Sequence, residues 1–323
     1  MSGEPTDPAG AEGGSAASRV RPCSTYSIVA LDSAGGHMGA AVQSHWFSVG
    51  SVVPWAEPGS GVVATQAFAN VSFGPLGLQL LREGSGAEQA LQRLVEGDSG
   101  RERRQLAVLG SSGGVAAYTG SECLPVAGHR CGAGYSVQGN ILSGDAVLPA
   151  MSAAFEGAGG PLAERMLAAL EAAEEAGGEL RGRQSASLLV VRVAATGKPW
   201  EDRLIDLRVE DHPEPLAELR RLLRLFRAYE HMERAEQAME RKDLATARQQ
   251  YEQARKLCPD GEELLFWEAV VLAGSGRLEE ARPLFRRAFR RQEGFREMAR
   301  RLHAAGQLAV SDAELSGLLE EGR

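Results

Sequence analysis

Between Thr25 and Ala69 the chain strings together four short runs, TYSIVALD, GHMGAAVQSHW, SVVPW and GVVATQAFA, rich in β-branched residues and separated by Gly, Ser and Pro. That punctuation predicts consecutive strands. In the first run Tyr26, Ile28 and Ala30 share one alternating face, while Val29 and Leu31 share the other. A strand that is apolar on both faces has to be covered on both. The fold therefore needs at least one layer on each side of this sheet.

The later segments supply such layers. GPLGLQLLREG and SGAEQALQRLVEGD keep helical spacing, the second with a Ser85-x-x-Glu88 capping-box pattern. QLAVL and VAAYT, joined by Gly110 to Gly114, predict a hairpin, and GAGYSVQGNIL another strand. A second helix pair is expected over 145–177, with Pro161 at a first helical position, Gly177 just past the end, and Leu162, Met166, Leu170 and Ala173 on one apolar face. SASLLVVRVA and RLIDLRV close the series. Strands, helix pair, strands, helix pair, strands is neither a βαβ alternation nor an all-β chain. Helices outside one or two mostly antiparallel sheets, an α+β sandwich, satisfy it.

After residues 212–215 (HPEP) the strand signals stop. Ala247, Tyr251 and Ala254 recur 34 residues on as Ala281, Phe285 and Ala288; Leu244 recurs as Leu278 and Ala235 as Ala269. This period, with Pro259 closing the first unit, resembles tetratricopeptide repeats. Two repeats are fewer than the roughly three that stand alone, so the pair is expected to lean on neighbouring helices. Tyr229, His231, Phe266 and Trp267 are read first as core and second as the lining of a peptide groove.

At 323 residues and 43% hydrophobic content the chain has room for about two domains. Its net charge of -8, with basic residues interspersed among acidic ones, offers no footprint for nucleic acid. No run approaches ~20 apolar residues, so no membrane-spanning helix is expected. Residues 1–24 are polar and lack a secretory h-region. They are expected to form a disordered leader, ahead of domains at 25–211 and 212–323, in a cytoplasmic protein whose four cysteines stay reduced.

Most apparent motifs dissolve on inspection. Gly110-Ser-Ser-Gly-Gly114 matches the nucleophile-elbow expression, but with strands on both sides it reads as a hairpin loop. There is no Walker A sequence, and Gly132-Ala-Gly134 lacks the third glycine of a dinucleotide site. Cys123, His129 and Cys131 are not spaced as zinc ligands, and His37 and His45 stand alone near strands. No cofactor is expected. Thr25 is different, because a threonine opening a strand becomes a nucleophile when its own α-amine, with a pKa of ~8, is free to act as base. That requires removal of the leader. Cys23 is a weaker second candidate, needing cleavage after Pro22.

TYSIVALD, GAAVQSHWFSVGSVVPWAEPGSGVVATQAFANVSFGPLGLQLL, RERRQLAVLG, AGHRCGAGYSVQGNILSG, AMSAAFE and RGRQSASLLVVR, in this order over residues 25–211, resemble the bacterial domain-of-unknown-function family ten-twenty-eight. That family is grouped with the N-terminal-nucleophile hydrolases. The resemblance implies an αββα sandwich and a hydrolase of small amides with Thr25 as nucleophile. It also implies Asn140 and Asn70 as oxyanion donors, and Gln43, Ser44 and Gln66 as substrate-binding residues beside them. Arg183 is read either as a clamp for a substrate carboxylate or as a structural ion pair. The alternative to an enzyme is a catalytically silent scaffold whose helical repeats bind a protein or peptide partner. Assembly into a homo-oligomer stays open.

Overall fold

A computed structural model of the protein describes residues 25–321. The expected leader, with Cys23 and Ser24, lies outside the described residues. The chain divides into two compact units, one ending at Leu216 and the other beginning at Ala217.

The first unit runs β1 (Tyr26–Asp32), β2 (His37–Ser44), β3 (Pro54–Glu57), β4 (Gly61–Ala67), α1 (Phe73–Arg82), α2 (Ala87–Glu96), β5 (Arg104–Gly110), β6 (Val115–Thr119), β7 (Gly128–Gly132), β8 (Tyr135–Gly139), α3 (Val147–Gly157), α4 (Leu162–Glu175), β9 (Ser185–Arg192), the short α5 (Pro199–Asp202) and β10 (Arg203–Val209). Two antiparallel sheets result. One has six strands in the order β10-β9-β2-β1-β8-β7, and the other has four in the order β3-β4-β5-β6. The apolar residues on both faces of β1 now have their cover. Val29, with Met38, Ala40 and Val42 of β2, packs against Val62, Ala64, Ala107 and Leu109 of the opposing sheet. On the other face the Tyr26 hydroxyl reaches Glu174 of α4, whose Met166, Leu167 and Leu170 are buried. The outer face of the four-stranded sheet, through Val63, Leu106 and Val108, takes Phe73, Leu81, Leu91 and Leu94 of α1 and α2.

Burying each such Leu, Val or Phe contributes roughly 1.5–3 kcal/mol, so these three apolar interfaces hold the unit together. Close approach also matters. A Cβ at Gly39 would stand 2.2 Å from the Leu189 carbonyl oxygen and 3.1 Å from Met166 Cε, so glycine lets β2 sit between β9 and α4.

One strand was not anticipated and two local expectations are corrected. Residues 128–132 form an edge strand paired with β8, although their glycines and charges hide any strand pattern. Ser85 does not cap α2; Gly86 is the N-cap and makes no side-chain cap bond, while Ser85 Oγ accepts from Arg93. Pro161 is the N-cap of α4, one residue before the position expected. The Gly110–Gly114 segment is the hairpin turn between β5 and β6, closed by the Gly110 N–H on the Gly114 carbonyl at 2.9 Å.

The second unit is helical: α6 (Pro215–Glu240), α7 (Leu244–Leu257), α8 (Glu262–Gly274), α9 (Leu278–Arg291), α10 (Gly294–Ala304) and α11 (Asp312–Leu319). The residues 34 apart, Ala247, Tyr251 and Ala254 in α7 and Ala281, Phe285 and Ala288 in α9, are all buried. Small residues there let neighbouring helices close up. Phe266 is fully buried and stacks on Phe295 at 4.6 Å. Tyr229, His231 and Trp267 are half-buried, with Tyr229 bonded to Glu263 and His231 to Gln250. Among the described residues no helix is long and apolar enough to cross a membrane.

Candidate functional site

At the end of the sandwich where β1 and β9 begin and β2 and β8 finish, the positions between the sheets turn polar. Thr25, Ser27, Ser44, Gln66, Gln105, Ser136, Gln138, Asn140, Ser185 and Ser187 are each at most 1% exposed. Buried polar groups are tolerated only when they are hydrogen-bonded, and eight of these bond to one another, while Ser185 Oγ bonds the Trp46 carbonyl and the Val49 N–H and Ser187 Oγ has no partner among the described residues. Gln105 is the hub. The two hydrogens of its Nε2 are shared among Thr119 Oγ1 at 2.9 Å, the Gly128 carbonyl at 2.9 Å and the Gly139 carbonyl at 2.8 Å. Its Oε1 accepts from Gln66 Nε2 at 2.8 Å and Asn140 Nδ2 at 2.9 Å. Ser27 Oγ donates to Gln66 Oε1 at 2.6 Å and accepts from Gln138 Nε2 at 2.6 Å.

Thr25 is built into this network. Its carbonyl accepts the Asn140 N–H at 3.1 Å and Gln66 Nε2 at 3.4 Å. Its hydroxyl donates to Ser44 Oγ at 3.3 Å. The pairing Tyr26↔Gln43 and Tyr26↔Gly139 sets Thr25 beside Ser44 and Asn140 on the two flanking strands. Directly after Gln66 and Asn140 come Ala67, with φ +63°, and Ile141, with φ +52°. Left-handed backbone is costly for any residue with a Cβ, most of all a β-branched one such as Ile141, and gathers where function over-determines geometry. Two such residues beside two members of one cluster mark it as a candidate site.

Of the residues expected there, Thr25, Ser44, Gln66 and Asn140 are brought together. Gln43 is not among them: it stands on the other face of β2, fully buried, and neither of its amide atoms has a hydrogen-bond partner. Asn70 serves the start of α1, where its Oδ1 accepts from the Ser72 N–H at 3.2 Å and Ser72 Oγ at 2.7 Å. Arg183 is held by Glu174 at 2.8 Å and by Glu214, which is its ion-pair reading. Glu174 in turn accepts the Tyr26 hydroxyl at 2.7 Å, so burial and this carboxylate push the phenol well above its ordinary range. Cys123 donates to the Arg104 carbonyl at 3.3 Å, His129 bonds Thr119 at 2.9 Å, and Cys131 is exposed. Among the described residues no cluster of three or more His, Cys, Asp or Glu side chains is arranged to hold a metal.

The sequence reading missed Ser27, Gln105, Ser136 and Gln138. Their signal was phase: Gln105 alternates with Ala107 and Leu109, and Ser27 with Val29, on a face that is otherwise apolar. It also missed Glu179, whose buried carboxylate accepts the His45 N–H at 2.8 Å and Arg181 Nε. Burial raises this carboxyl, with Arg181 opposing. The folded chain then holds the proton to higher pH than the unfolded chain, so stability falls as pH rises from the ordinary value of 4.5 through the raised one. Glu179→Gln is expected to remove that fall, as read by melting temperature from acid to neutral pH. Parallel profiles for variant and wild type would contradict it.

A family model described as "Family of unknown function (DUF1028)" matches residues 25–219, a stretch that opens at Thr25. The crystal structure of protein SPO2555 from Silicibacter pomeroyi, assigned to the same family model, is similar at 36% identity with a TM-score of 0.56. The match covers 62% of this chain and 88% of that one. No curated protein matches the chain. The family match spans more than half the sequence and every residue of the polar cluster, so this chain belongs to the DUF1028 family.

Proposed function

We propose that the first unit is an N-terminal-nucleophile hydrolase of αββα type, which cleaves a small amide through Thr25 once the leader has been removed. The observation that carries this reading is the setting of Thr25. A hydroxyl at the opening of the first strand lies within a network of buried amides, with its carbonyl held by Asn140 and Gln66. Activation begins with the Ser24–Thr25 bond. In autoproteolysis Thr25 Oγ1 attacks the Ser24 carbonyl carbon, the Thr25 nitrogen leaves as the amine, and water hydrolyses the resulting ester. Trimming by another protease gives the same end.

In the mature enzyme the α-amine takes the hydroxyl proton as Oγ1 attacks the substrate carbonyl, then passes that proton to the departing nitrogen. Water, deprotonated by the same amine, cleaves the acyl ester. Asn140 Nδ2 spends one proton on Gln105 and has a second for the developing oxyanion. Asn70, occupied at α1, and Arg183, occupied by two carboxylates, are given no part in this scheme. No cofactor is required, and the cytoplasm is the proposed setting. An electrophilic acyl trap is expected to add its mass to the peptide that starts at Thr25. Purified, leaderless protein that takes no label there would overturn the reading.

The rival reading is a silent scaffold whose tetratricopeptide-like second unit binds a peptide, favoured by the buried 34-residue repeat. If removing residues 217–323 abolishes the cellular role while Thr25→Ala does not, the rival holds.

A further inference from the structure

Glu179, on the loop between α4 and β9, carries a side chain with no exposed surface. A carboxylate in that setting is costly unless it is paired and hydrogen-bonded. One of its oxygens takes Arg181, two residues on, and the other accepts the His45 N–H at 2.8 Å, 134 positions away. His45 directly follows Ser44, the last residue of β2. The backbone of the same loop is laid along the chain that leaves β8. Leu142 and Glu179 form an antiparallel bridge, the Leu180 N–H donates to the Ile141 carbonyl at 2.9 Å, and the Ser143 N–H donates to the Gly178 carbonyl at 2.9 Å. Residues 178–180 therefore reach from the exit of β8 to the exit of β2. These are the two strands that flank Thr25, with Asn140 ending one side and Ser44 the other. Ile141, at φ +52°, has its N–H on the Leu124 carbonyl at 3.2 Å and its own carbonyl on Leu180. Its neighbours hold it in a conformation that a β-branched residue disfavours.

We propose that Glu179 is a positioning residue for Thr25: its side chain ties the exit of β2 to the exit of β8 and so keeps Ser44 and Asn140 in place on the two flanks of the nucleophile. The catalytic consequence rests on the hydrolase reading, whereas the geometric claim stands apart from it. Glu179 acts through Ser44 and Asn140, not on the substrate. What the tie needs is an acceptor of the right reach. A glutamine at this position still offers an oxygen to the His45 N–H, alanine offers none, and aspartate keeps the charge but is one methylene short. Arg181, whose side chain is 34% exposed, balances the charge and is not part of the tie.

Hydrogen exchange read by mass spectrometry on the full chain, together with the rate at which an acyl trap labels Thr25 in leaderless protein, tests this. Glu179→Ala is expected to speed exchange at least about tenfold in residues 44–47 and 139–143, while β4 and β5 keep their protection. Labelling per folded molecule should slow by at least about tenfold. Glu179→Asp should show the same local loosening, and it serves as the test should the alanine variant fail to fold. Glu179→Gln and Arg181→Gln should stay within about threefold of wild type in both measurements. Unchanged exchange in the alanine and aspartate variants, exchange that rises equally in β4 and β5, or a glutamine variant as loose as alanine would each overturn the proposal. Wild type that takes no label, beside an alanine variant loosened only in the two windows, would overturn the hydrolase reading and support the positioning. Labelled wild type with an alanine variant unchanged in exchange would do the reverse.

Discussion

Thr25→Ala is expected to lower small-amide hydrolysis by at least about 10³-fold, because on the proposed mechanism the substitution removes both the nucleophilic hydroxyl and the acyl intermediate it would form. The fold should survive. Thr25 lies just ahead of β1, and its backbone bond from Asn140 needs no side chain. Loss of the Ser44 contact costs about 1 kcal/mol, the usual worth of one neutral hydrogen bond. Thr25→Ser keeps a hydroxyl in the same place and should keep measurable turnover. Assaying amine release from a panel of small amides, together with melting temperatures, separates the two roles. An alanine variant as active as wild type would remove Thr25 from the chemistry.

Gln105→Leu is expected to be the most destabilising single change in the first unit. It removes the partner of two backbone carbonyls, Gly128 and Gly139, and of the side chains of Gln66, Asn140 and Thr119. Each buried group left unpaired costs roughly 1–3 kcal/mol, and the costs overlap, so about 4 kcal/mol or more is expected. Gln66 and Asn140 also hold the Thr25 carbonyl, so activity should fall even where the variant stays folded. Thr119→Val removes one bond from the same hub and the bond to His129, and should cost about 2 kcal/mol. Denaturant midpoints measure both. A Gln105→Leu protein within 1 kcal/mol of wild type would mean that water replaces the network.

The alternation in β1 was enough to read a sheet covered on both faces, and apolar phase was enough to place α1, α2, α3 and α4. Both are local patterns, set by residues two to four apart. The candidate site is non-local. Ser27 meets Gln138 across 111 positions and Gln66 meets Gln105 across 39. Within its own strand Gln105 reads only as a polar boundary. Recognising it as a hub needs the pairing of β4 with β5 and the stacking of one sheet on the other. Thr25 and Asn140 were legible chiefly through resemblance, since a strand-opening threonine is by itself only a good β-former. Arg183 shows the converse. Its charge was plain in the sequence, but Glu174 and Glu214, which occupy it, stand 9 and 31 residues away. β7 stayed hidden because an exposed edge strand of glycine and polar residues has no apolar phase to read.

The most direct test is the intact mass and N-terminal sequence of the protein purified from its own cells. A chain beginning at Thr25 is predicted for wild type, with the full leader retained in Thr25→Ala where cleavage is autoproteolytic. Hydrolytically competent protein that still carries Ser24 joined to Thr25 would contradict the account.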